Sequence, residues 1–113
     1  MGKERVFIVF RSGVIAVGVK HGRDYGDILN DLTKAVECIP DSYLFFEMDP
    51  EEWQKLPRES KLEVWEALAE DLFFALGNEP VIQVGSGVVI YDKEGHRINI
   101  LVGEEDLESV ALI

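Results

Sequence analysis

A single cysteine, Cys38, stands among the 113 residues, which excludes an intramolecular disulfide framework and any metal cluster built on several thiolates. Positive charge is also scarce. Eleven Lys and Arg face 22 Asp and Glu, giving a formal charge of −11 and a pI near 4.5. So few cations suit a phosphate backbone poorly, because its recognition rests on many basic contacts, and no direct nucleic-acid partner is expected. No run approaches the ~18 apolar residues of a membrane span, so no membrane partner is expected. Thr occurs once, Gln twice and Asn three times beside plentiful Glu, a scarcity of thermolabile amides typical of thermophile proteins. At the N-terminus, Lys3 and Arg5 precede Val6-Phe7-Ile8-Val9-Phe10 as in a signal peptide. Arg11 stops that run short of the roughly seven apolar residues required, and a cytoplasmic location is expected.

What remains is a chain rich enough in apolar residues, at 47%, to build one core. One α+β domain spanning residues 1–113 is expected. Its charge is lopsided. Residues 1–23 carry five basic side chains against the single Glu4, net +4, and the other 90 carry six against twenty-one, net −15. Such asymmetry concerns partners more than fold.

Val6–Phe10 and Val14–Val19 read as a hairpin turned by Ser12-Gly13, with Gly18 marking a bulge or a close backbone approach. Asp24 is set to cap a helix carrying Ile28, Leu29, Leu32, Ala35, Val36 and Ile39 at helical spacing, which Pro40 ends. Tyr43–Met48 predicts a short aromatic strand. Asp49-Pro50 opens a short helical turn, and Pro57 divides it from a main helix running to Leu76. Leu62, Trp65, Leu68, Ala69, Leu72, Phe73 and Leu76 form that helix's apolar arc, and Trp53 is assigned to the core. Val81–Val84, Val88–Tyr91 and Ile98–Val102 predict strands. Asp92-Lys93-Glu94-Gly95 predicts a type I turn with Gly95 left-handed. The order is ββαβαββ: an antiparallel or mixed sheet with two helices on one face, a ferredoxin-like arrangement being the competitor.

Glu59, Glu63, Glu66 and Glu70 fall in one band of the main helix, opposite the apolar arc, and none has a cation at i+4. A solvated face explains them, as does a docking surface for a basic partner. A weaker candidate is a magnesium or calcium site on Glu63 and Glu66 with Glu70 or Asp71, since hard cations take oxygen ligands. Glu104, Glu105 and Asp106 form a second acidic cluster, the start of a short helix or an acidic tail. The apolar end Val110-Ala111-Leu112-Ile113 predicts docking on the chain's own core or on a second subunit. Gly85-Ser86-Gly87 precedes a strand with no lysine nearby, which fits a turn and not a phosphate loop. His21 and His96 read as surface histidines and Cys38 as a partly buried structural thiol. No catalytic residue, cofactor-binding residue or cofactor is expected. The expected function is a non-catalytic protein-interaction module, a homodimer with a basic protein partner. The alternatives are an acidic nucleic-acid mimic of antitoxin, immunity or anti-defence type, and a small metal-dependent hydrolase using Glu63, Glu66 and Glu70.

Overall fold

The computed structural model describes residues 18–103 and 105–113. The hairpin expected over residues 6–19 therefore lies outside the described residues, except for Gly18 and Val19, which are not in a strand. The described chain is α+β with a four-stranded antiparallel sheet. No described helix is long and apolar enough to cross a membrane.

Helix α1, Tyr25–Val36, starts where expected because the Asp24 carboxylate accepts the Asp27 N–H at 3.3 Å, with Asp27 favoured by the helix dipole. Its buried side carries Ile28, Leu32, Ala35 and Val36. Helix α2, Pro50–Lys55, has Pro50 in its first turn, and the Asp49 carboxylate accepts the Glu51 N–H at 3.0 Å. Pro57 ends that element and caps helix α3, Arg58–Ala75, which buries Trp65, Leu68, Ala69, Leu72 and Phe73. Leu62 departs from the expected arc and is exposed. Trp53 is buried, stacked on Tyr43 at 5.2 Å and edge-on to Trp65 at 5.5 Å. Helix α1 lies against both α3 and the last strand.

The expected order ββαβαββ is not what the described residues show. Tyr43–Met48 is not a strand: Ser42–Phe46 forms a 3-10 turn, closed by Glu47 in the left-handed region at φ 58°. A run this short carries no decisive period, and local bonds satisfy its backbone (Leu44 N–H to Asp41, Glu47 N–H to Leu44), so no neighbouring strand is needed.

Strands β1 (Val81–Val84), β2 (Gly87–Asp92), β3 (Arg97–Val102) and β4 (Glu105–Ala111) pair consecutively as an antiparallel meander. No described pair is a parallel crossover, which a ferredoxin-like arrangement requires. β4 corrects the expected acidic tail or helix: Ile98 pairs with Val110 and Ile100 with Glu108, and a bulge shifts the register so that Leu101 faces Asp106. Val110 and Leu112 are buried, so the apolar end docks on the chain's own core. The Leu112 carbonyl accepts the Gly22 and Arg23 N–H groups at 2.7 and 3.0 Å, and the Leu112 N–H donates to His96. Arg23 also donates to the Ala111 carbonyl at 2.9 Å and pairs with Asp31 at 2.9 Å.

The turns are mixed in outcome. Gly85-Ser86 is a two-residue hairpin loop with positive φ, 57°, at its first residue only, the pattern that calls for glycine there. In the β2–β3 loop His96 is left-handed, at φ 54°, and Gly95 is not. Gly95 is needed for another reason: its N–H donates to the Asp92 carboxylate at 2.9 Å, and a Cβ there would collide with that carboxylate.

Asp41 ties the 3-10 turn to the β1–β2 loop, its carboxylate accepting both the N–H and the hydroxyl of Ser86 at 2.8 Å. Partial burial pushes the Asp41 carboxyl up, but the Ser86 bonds outweigh it and hold the pKa below the usual carboxylate value. Asp41→Ala is expected to cost about 1–2 kcal/mol at neutral pH. A depressed folded pKa adds stability above the unfolded pKa of about 4, and that contribution is lost as pH falls through the folded value. Denaturant melts of both proteins should therefore converge as pH drops below 4, whereas a gap that widens there would contradict this role.

Candidate functional site

The acidic band of α3 is the strongest candidate, and its setting differs from expectation. Glu63, Glu66 and Glu70 do not simply oppose the buried arc. Together with Ala67 they line a groove of about 590 Å³ whose other wall is Gly26, Leu29, Asn30 and Thr33 of α1. Packing of α1 along one flank of α3 turns an acidic stripe into one side of a trough. The absent side chain at Gly26 keeps the wall of α1 low at its N-terminal end. Glu59 lies outside this lining.

Glu59, Glu63 and Glu66 are exposed and Glu70 is half-buried. The ion pairs found among the described residues, Arg23 with Asp31 and Arg58 with Glu37, involve none of these four. Burial pushes the Tyr25 phenol up, and the negative charge of nearby Glu70 adds to it. Among the described residues no group of three or more His, Cys, Asp or Glu side chains is disposed to hold a metal ion. Glu63, Glu66 and Glu70 thus line the groove as separate carboxylates and do not converge on one point. Glu63→Lys and Glu66→Lys should leave the melting temperature unchanged, or raise stability by a few tenths of a kcal/mol through relief of like-charge pairs. A loss above about 1 kcal/mol for either would reveal a structural partner.

A second concavity of about 580 Å³ adjoins the first. Phe46, Met48, Leu56, Ser60, Glu63, Val64 and Ala67 line it, so Glu63 and Ala67 belong to both. The residues of this apolar groove, like Gly26, Asn30 and Thr33 of the α1 wall, escape a reading of the sequence, whereas Leu29 belongs to the apolar spacing of α1. Val64 and Ala67 fall between the apolar arc and the acidic band, and Phe46 and Met48 arrive from the segment read as a strand.

Among the other sequence candidates, Glu105, Cys38, His21 and His96 line neither groove. Glu105 is exposed on β4, Asp106 stands opposite Leu101 in the ladder, and Glu104 lies outside the described residues. Cys38 is exposed, not partly buried, because it follows α1 on the side away from the core. Desolvation pushes its thiol up, with Glu108 and Glu37 adding to the effect, so little reactive thiolate forms at neutral pH. His21 is exposed and its ring Nδ1–H donates to the Val19 carbonyl at 2.9 Å, while His96 serves its loop. No family model, curated protein or solved structure matches the chain.

Proposed function

We propose that the chain is a non-catalytic protein-interaction module of the cytoplasm, with both long helices on one face of its sheet, that meets a basic protein through α3. One observation carries this reading: Glu63, Glu66 and Glu70 are gathered along one groove, and none is ion-paired with a described cation. Carboxylates left in this state attract a cationic partner over distances comparable with the Debye length and impose orientation as it docks.

A homodimer is part of the same reading. Val81 pairs with Ile90, and Val88 with Leu101, so these four apolar side chains share the sheet face opposite Val89, Ile98 and Ile100, which are buried. Val81 is 55% exposed. A second copy covering this face would form an isologous interface with an apolar centre. Light scattering at micromolar concentration should give twice the 12.8 kDa chain mass, and Ile90→Lys should halve it.

The basic-partner reading is tested with oligolysine as probe. Titration should show binding that weakens with salt and is largely lost in the triple variant Glu63→Gln, Glu66→Gln, Glu70→Gln. The same neutralisation at Glu79, Glu94 and Glu105, all exposed and outside the groove, should change it far less. Equal loss in the two triple variants would mean that overall charge alone attracts the probe, and the reading would fall.

A further inference from the structure

We infer that the partner segment is a basic amphipathic helix, lying across α3 with its apolar side in the groove of Phe46, Met48, Leu56 and Val64. This rests on the reading of α3 as a docking surface for a basic protein and names what docks there.

Three features lead to it. The apolar and acidic grooves share Glu63 and Ala67, so one occupant resting on that ridge reaches both. Neither lining contains a Lys or Arg, so the surface is complementary to an occupant that brings apolar and cationic groups together. The third feature is spacing. Glu63, Glu66 and Glu70 step along α3 by three and four residues, roughly 5 Å per step. A second helix repeats its own side chains at that pitch and can set a Lys or Arg against each carboxylate. An extended strand presents same-side residues about 6.6 Å apart and loses register within two steps. Apolar anchors in a groove, flanked by charge on one side, are the pattern of helix-in-groove recognition. An anionic lipid surface is disfavoured by the same carboxylates.

Two synthetic peptides of about four helical turns serve as probes, one of Leu and Lys in amphipathic order, the other with every Leu replaced by Ala and the charge unchanged. Calorimetric titration of the intact chain should show the Leu/Lys peptide bound on the order of tenfold more tightly or better, the gain from burying apolar anchors. Val64→Gln, which alters the apolar groove at a position outside the acidic one, should remove that advantage and leave the Ala/Lys peptide unaffected. Met48→Gln tests the opposite wall, and unchanged melting curves certify both folds. Equal affinity for the two peptides would overturn this inference while the oligolysine result still supports a basic partner. Loss of binding to both peptides and to oligolysine would remove the two together. An advantage for Leu/Lys that survives both groove variants would overturn the assigned site. A dimer mass that Val64→Gln abolishes, without peptide binding by the wild-type chain, would also overturn it and assign the groove to a second copy.

Discussion

Leu72→Ala and Trp65→Ala are each expected to lower stability by about 2–5 kcal/mol, read from denaturant unfolding. Leu72 is wholly buried in the last turn of α3, and its truncation leaves a hole in a close-packed core. Trp65 is 9% exposed, closes edge-on against Trp53, and has the Arg58 guanidinium 5.4 Å from its ring centre. Its indole N–H, however, is buried with no acceptor among the described residues. Trp65→Phe keeps much of the ring contact and removes that unsatisfied donor, so it should cost far less, about 1 kcal/mol or below. Losses below about 0.5 kcal/mol for both alanine variants would show that α3 buries a different face.

Gly18→Ala should be nearly as damaging, with a loss of about 2–5 kcal/mol. Two independent penalties combine there. Gly18 has φ of 68°, where a side chain is strained, and a Cβ would stand 2.7 Å from the ring of Phe73. That ring cannot swing aside, since it is held edge-on by His21 at 5.2 Å and Tyr25 at 4.9 Å. Gly77 approaches from the far side so closely that its own Cβ would meet the Gly18 carbonyl. Gly103→Ala separates the two penalties. Its φ is 65° but nothing lies within 4 Å of a Cβ there, so only the backbone cost of about 1–2 kcal/mol is expected. Equal effects at the two glycines would mean that the Phe73 contact is unimportant.

Elements announced by local chemistry were legible in the sequence. Asp24, Asp49-Pro50 and Pro57 mark three helix starts because caps and proline act within a turn of where they stand. Gly18 was legible as a bulge or a close backbone approach, and it is the second that the contact with Gly77 bears out. Elements decided by distant neighbours were not. The run Tyr43–Met48 has strand composition, yet Tyr43 stacks on Trp53 from a 3-10 turn. β4 was hidden by Glu105, Asp106 and Glu108, residues that favour strands little and are tolerated here on an outer strand of the described sheet. For the candidate site, the acidic band was plain from spacing alone. Its conversion into a groove depends on how α1 lies against α3, which no local pattern encodes.

The bonds from Leu112 and Ala111 to the start of α1 bear on the order of events in folding. The meander from β1 to β4 closes through short local turns and can assemble early, whereas Arg23 and Ala111 are 88 residues apart. A contact between residues so distant in sequence is expected to form late, after the rate-limiting step. Arg23→Ala, which removes the bond to Ala111 and the pair with Asp31, should hardly change the refolding rate measured by stopped flow. It should speed unfolding instead, so the closure governs how long the native state lasts once formed.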